Sequence, residues 1–475
     1  MEQGGQMFKS EAVRAAYAAR RERYLTAMGC GTPDRVPIRF FLQEAAARYC
    51  GLTNQDVAIS YEKAFEVTRR AAEDLGSDAV MLNAIWSNYG LAKAAGWKYL
   101  HVPGVDTDVR SVLQFSEPRD EASEFMHEDE YEELADDPTA FILGKWFARN
   151  CRGVAECGGK VSLDHNANLM RGAMAFANYM SAFGPAAAKL KYESGIVSAN
   201  AGMIKAPLDL IMDKFRGYQN TVFDCMDDPG RVRRACEALI PHIVRNALNG
   251  ADPAKEAPIT IWAHRGCVPL STPEMFDEIY WPTLKPVFEE VIAAGYRILF
   301  YGEGNWEAHY DTLRTLPAGS IIYHLDRGSP ELAARKLKDR FAISGGLNYN
   351  VLSMGTEDDV RAHMKDLFSW LKPDGGYMLD ATALMLSDVK PENLRAAARY
   401  AMDFGGYSRT VAAPVRKLCA HPVIRPGKRP PNTVRGWAEE SADYRGLAGD
   451  VEGVRSAWSG VDAALYGYLW TTVLW

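Results

Sequence analysis

The chain has 475 residues, 47% hydrophobic and 24% charged, with a formal net charge of −7 at pH 7. A chain this long and apolar can bury a large core, which excludes general disorder, and its modest, interspersed charge leaves no electrostatic footprint for nucleic acid. The eight cysteines are scattered without a CxxC pair, so reduced thiols are expected, not a disulfide framework or a cysteine-rich zinc module.

The start, MEQGGQMFKSEAVRAAYAARRERYL, is charged and helix-like and lacks the apolar core of a secretory signal, so a cytoplasmic location is expected. RVPIRFF reads as a first strand. In SYEKAFEVTRRAAEDLG, Ser60 is the expected N-cap, apolar residues recur on one face, and Gly76 stands just past the end. It leads into the strand SDAVMLN. From Trp86 to about Cys151 the alternation of strand and helix breaks down, which is read as a lid or cap inserted over about 86–170, and the helical run LMRGAMAFANYMSAFGPAAAKL is expected to cover the barrel. ESGIVSANAGMIKAPLDLIM resumes the pattern with a strand that ends in small residues and Lys205. Later helices open on Asp228-Pro229, STPEMF, GSPELA and VKPENL, and Thr356 with Asp359 forms a capping box.

Counted forward, the strands are RVPIRFF, DAVMLN, a poorly determined third, GIVSANAG, ITIWAHRG, RILFYGEG, SIIYHLD, FAISGGLN and YMLDAT. Eight or nine parallel strands separated by helices suit a closed (β/α)8 TIM barrel, and no GxGxxG turn near the start supports an open doubly wound sheet. Residues 1–410 are read as this barrel and 411–475 as a C-terminal arm, begun by the Pro- and Arg-rich APVRKLCAHPVIRPGKRPPNTVRGW. Only 13 residues follow the last charge, Asp462, fewer than the about 20 of a membrane span. This apolar end is expected to pack on the barrel or on a second subunit, as in a homodimer.

Three apolar segments, PITIWAHRGC, RILFYGEGN and SIIYHLD, each end in chemically able residues: His264 with Arg265, Glu303 with Asn305, and His324 with Asp326. In a (β/α)8 barrel such positions converge at the C-terminal mouth. Glu303, between two glycines at a strand end, is the leading acid/base candidate, with Tyr301 beside it. His324 and Asp326 are alternate residues that share a side of their strand and suit proton transfer. His264 and Arg265 can anchor an anionic group. Asn348 and Tyr349, Asn83 and Trp86 are candidate pocket lining, and Cys267 reads as a small buried apolar residue, not a nucleophile.

The order and spacing of TPDRVP, MHEDEYEELADDPTAF, GYQNTVFDCMDDPGRV, STPEMFDEIYWPTLKPVFEEVIAAG, GN after RILFYGEGN, GTEDDV and KPENLRAAARYA resemble the uroporphyrinogen decarboxylase superfamily over roughly residues 32–406. That superfamily includes methyltransferases that work with corrinoid proteins. The resemblance implies a barrel with its site at the C-terminal mouth. Two departures narrow the function. The arginine-rich motif that binds a tetrapyrrole's propionates does not follow DRVPIRFF. The His-x-Cys-Gly motif of thiol-methylating relatives aligns with Tyr301-Gly302-Glu303-Gly304-Asn305, and MLDATALMLSD has no cysteine, so a thiolate zinc site is absent. The resemblance leaves Glu303, His264 and Asp380 as a candidate oxygen- and nitrogen-ligated zinc set.

What remains most similar is the branch that removes a methyl group from a small O- or N-methylated, aromatic or otherwise bulky compound. The resemblance implies that the methyl passes to cob(I)alamin on a separate corrinoid protein, giving methylcobalamin. The competing expectations are a cofactor-independent decarboxylase or lyase of a carboxylated ring compound, and a non-catalytic barrel that binds a tetrapyrrole and docks a partner.

Overall fold

The structure is a computed structural model that describes residues 7–82, 89–112, 114–115, 125–156, 158–414, 418, 437–442, 446 and 448–474. Its strands are β1 (Ala79–Val80), β2 (Leu100–His101), β3 (Gln114–Phe115), β4 (Val197–Ser198), β5 (Gly202–Lys205), β6 (Ile259–Ala263), β7 (Ile298–Asn305), β8 (Ile321–Arg327), β9 (Ala342–Gly345) and β10 (Tyr377–Met378). Strands β5 to β10 form one parallel sheet in chain order, and β1 pairs in parallel with β4. Further backbone hydrogen bonds close the ring. Asp78 N donates to Ile38 O at 2.8 Å, Leu379 N to Pro37 O at 2.9 Å, and Ala201 N to Pro258 O at 2.8 Å. The segment around Ile38, β1, the offset pair β4/β5, and β6 to β10 are therefore the eight staves of a (β/α)8 barrel.

The undetermined third strand of the sequence pattern has no stave. Between β1 and β4 the described strands are β2 and β3, an antiparallel pair outside the barrel. Helix starts coincide with their capping signals. The side chains of Ser60, Asp137, Asp228, Ser329 and Thr356 each accept from a backbone N–H three residues on, and Asp359 completes the Thr356 box.

The barrel interior is packed, not hollow. Helix Glu11–Met28 plugs its N-terminal end with Tyr24, Ala27 and Met28, which meet the inward residues Ala79, Val197, Leu299, Ile322, Ala342 and Met378. The TPDRVP stretch is held by charge: buried Asp78 pairs with Arg23 at 2.5 Å and Arg35 at 2.7 Å, and Asp34 takes the other side of Arg23. Helix Val451–Leu474 packs on helices Leu163–Ser181 and Pro229–Leu248. There Trp470 stacks on His242 with ring centroids 4.3 Å apart, and Tyr466 Oη lies 2.8 Å from His242 Nδ1. Among the described residues no helix is long and apolar enough to cross a membrane.

Candidate active site

Strand alternation brings Trp262, Tyr301 and His324 side by side inside the barrel, since Trp262 pairs with Tyr301 and Tyr301 with His324. Their rings stack at 4.2 Å and 3.9 Å. His324 is fully buried, and its Nε2 lies 3.1 Å from the Thr382 carbonyl, which can only accept, so Nε2 carries the proton. Nδ1 is left to accept from Ser344 Oγ at 3.1 Å and faces Arg39 Nη2 at 3.4 Å. Burial first, then the Arg39 charge, pushes the His324 pKa well below its ordinary value, and the ring stays neutral.

Arg39 is itself fully buried, with Nη2 2.7 Å from Asp380 Oδ2, close as charges but not aligned as a hydrogen bond. Phe41 N and Ala381 N donate to the other Asp380 oxygen at 3.0 Å and 2.9 Å. Burial raises the Asp380 pKa to about 6 against the opposing Arg39 charge. Three expected site residues are thereby relocated. Tyr301 is a buried wall whose hydroxyl has no hydrogen-bond partner among the described residues, His324 is a locked neutral imidazole, and Asp380 is a partner of Arg39. None of the three opens on the mouth.

One layer further out, two residues beyond Tyr301 and His324, stand Glu303 and Asp326, both half-buried. Asp326 Oδ2 accepts from Gly304 N at 2.6 Å. Gly304 has φ +86°, and a Cβ there would sit 2.5 Å from Cys267 Sγ, so this turn under the pair requires glycine. Burial raises the Asp326 pKa to about 6, the Gly304 N–H opposes the shift, and the neighbouring Glu303 charge adds to it. Asp326 is therefore an accessible acid that titrates near neutrality. Cys267, its thiol pushed by burial up to about 11, is no nucleophile.

His264 and Arg265 end β6 but turn toward a carboxylate that the strand-end pattern does not include. Helix Pro207–Leu210 and the π-helical turn Ile211–Phe215 after β5 place Asp209 and Asp213 against them. Asp213 receives His264 Nε2 at 2.6 Å, Lys205 Nζ at 2.7 Å and Arg265 Nε at 3.0 Å. Asp209 accepts from the backbone N–H groups of His264 and Arg265 and from Tyr280 Oη, which fixes the β6 end. Burial alone would lower the His264 pKa, but the Asp213 and Asp209 charges outweigh it and raise it. Burial raises Asp209, whereas the three cations hold Asp213 well below the carboxylate range despite its burial. The i, i+4 spacing of Asp209 and Asp213 behind Lys205 is the sequence signal for this cluster.

Asn305 folds its side chain back to accept from Glu307 N at 2.9 Å, and Asn348 caps helix Tyr349–Ser353 by accepting from Asn350 N at 2.8 Å. Both serve their own loops. Asn83 and Trp86 lie outside the described residues. The candidate zinc set does not assemble: Asp380 is held inside the barrel, His264 Nε2 is engaged by Asp213, and Glu303 stands by Asp326. Among the described residues no three His, Cys, Asp or Glu side chains are grouped to hold a metal.

Residues 179–404 match the family model described as uroporphyrinogen decarboxylase (URO-D). Among solved structures, a methyltransferase from Methanosarcina mazei shares the fold with a TM-score of 0.50 and 15% identity, over 81% of this chain and 98% of that one. No curated protein matches the chain. The matched residues include strands β4 to β10 and the strand-end cluster, and over this span the chain is similar to the uroporphyrinogen decarboxylase family.

Proposed function

We propose that the chain is a methyltransferase that takes a methyl group from a small O- or N-methylated substrate and delivers it to cob(I)alamin carried by a separate corrinoid protein. The observation that carries this reading is Asp326, a half-buried acid with a pKa of about 6 beside Glu303 at the barrel mouth. Methyl transfer to a strong cobalt nucleophile asks little else of the protein. The C–O or C–N bond breaks, the cobalt electron pair forms the new bond to carbon, and the departing oxygen or nitrogen must be protonated. Asp326 supplies that proton, and its burial, with a smaller contribution from the neighbouring Glu303 charge, keeps its pKa high enough to hold one. His264, Lys205 and Arg265 around Asp213 form a cationic wall for an anionic group on the substrate.

The test is methylcobalamin formation from cob(I)alamin over a panel of aryl methyl ethers and methylamines. The rate is expected to fall as pH rises through about 6, where Asp326 loses its proton. Asp326→Asn should lower it by roughly 10²–10⁴-fold. No methylcobalamin from any member of the panel with folded protein would overturn the reading. Carbon dioxide release from a carboxylated ring compound without cobalamin would replace it with the decarboxylase.

A further inference from the structure

A large cavity lies away from the Glu303–Asp326 pair. It has a volume of about 960 Å³ and opens on the flank of the barrel where β4 and β5 separate, under helices Leu163–Ser181, Pro229–Leu248 and Val451–Leu474. Phe41 lines its inner end. That ring stands edge-on to Trp262 at 5.9 Å and to Tyr301 at 6.4 Å, and neither Glu303 nor Asp326 lines the cavity. The walls carry apolar side chains, Met81, Phe176, Met180 and Met203 among them, beside the polar Ser198, Asn200, Asn246 and Asn249.

Gln43 also lines the cavity. It is only 1% exposed, yet neither Nε2 nor Oε1 has a hydrogen-bond partner among the described residues. Burying a carboxamide unpaired costs free energy on both its donor and its acceptor side. Its backbone is also unfavourable, at φ +38°, where a non-glycine residue is strained. Two penalties at one lining residue point to a ligand that uses it. The charged groups at the rim are engaged elsewhere. Glu256 pairs with Arg21, Asp252 accepts from the backbone of Glu256 and Ala257, and Lys191 lies over the rings of Tyr17 and Tyr192 at 5.2 Å and 5.0 Å.

We infer that this flank cavity is a binding site, separate from the Glu303–Asp326 pair, for a neutral small molecule with an apolar body and an adjacent hydrogen-bond donor and acceptor, as on a carboxamide or lactam. Gln43 matches such an edge with two hydrogen bonds, its Nε2 donating and its Oε1 accepting. The methionine and phenylalanine side chains of the lining take the body, and the lack of an unengaged charge disfavours an ion, whose desolvation nothing would offset. The site does not depend on methyl transfer, because occupancy is read without turnover.

Calorimetric titration of the full chain with benzamide and 2-naphthamide, against benzoate and 2-naphthoate, tests it. Saturable amide binding is expected, with each carboxylate at least about tenfold weaker. Gln43→Leu should weaken amide binding by about tenfold or more while raising the melting temperature of the ligand-free protein, since it removes an unpaired buried amide. Gly467→Phe should abolish binding by filling the cavity; a Cβ at Gly467 meets only Asn249 Nδ2 at 3.8 Å and Phe176 Cε1 at 3.9 Å. No saturable amide binding, carboxylates that bind as well as amides, or amide affinity unchanged by Gln43→Leu would overturn the inference.

Discussion

Substituting Asp213 by Asn keeps the shape of the side chain and removes the charge on which three cations converge. Its side chain is 6% exposed, whereas those of Lys205, His264 and Arg265 are 17%, 16% and 14% exposed. Removing one partner of a buried ion pair costs about 3–5 kcal/mol, because the survivors stay desolvated without compensation. The water that still reaches the three cations puts this case at the lower end, about 3 kcal/mol, or roughly a hundredfold in the folded-to-unfolded ratio. The pH dependence gives a second readout. With its folded pKa raised above an unfolded value of about 6.5, His264 contributes stability that is complete below that pH and is lost as pH rises through the folded value. In Asp213→Asn the principal cause of that elevation is gone, so this loss should shrink. Urea denaturation of both proteins from pH 6 to 9 measures both effects. A variant within about 0.5 kcal/mol of the parent at pH 6, with the same dependence on pH, would refute the assignment of Asp213 as the hub of this cluster.

Tyr301→Phe removes a buried hydroxyl without a partner and keeps the stack on Trp262 and His324, so stability should hold or rise by up to about 1 kcal/mol and turnover should stay within about twofold; a tenfold loss of rate would put the phenol in the chemistry. Arg39→Met and Asp380→Leu should each cost about 3–5 kcal/mol in denaturant titrations, and the double variant less than their sum, because it leaves no orphaned charge. Gly304→Ala should destabilise by about 1–3 kcal/mol through its positive φ and the contact with Cys267, and the displaced Gly304 N–H should raise the pH at which Asp326 titrates in an infrared carboxyl titration. Since the folded pKa of Asp326 is raised, the protein should lose stability as pH climbs from about 4 to about 6, a loss that Asp326→Asn should flatten in the same denaturation assay.

Much of the barrel was written locally. Ser60, Asp137-Pro138, Asp228-Pro229 and the Thr356–Asp359 box mark helix starts because a cap is made within three residues, and the apolar runs in ITIWAHRG, RILFYGEG and SIIYHLD, whose side chains alternate between the barrel interior and the helix layer, mark strands because both faces are buried. The same alternation put Tyr301 with Glu303, and His324 with Asp326, on one side of their strands. It could not say which member of each pair lies inside the barrel and which reaches the mouth, because depth is set by the strands' stagger and by what fills the lumen. Partner choice lay further from reach. Arg39 meets Asp380, and His264 meets Asp213 instead of a metal, because the closed ring and a π-helical turn join segments far apart in the chain. Alone, the chain's pattern determined a parallel α/β barrel, with its strand count left at eight or nine, and the strand ends that carry polar groups. Only tertiary structure decided that His324 is locked neutral, that Asp326 titrates near neutrality and that Gln43 is left unpaired, since burial and long-range charge are properties of the packed molecule.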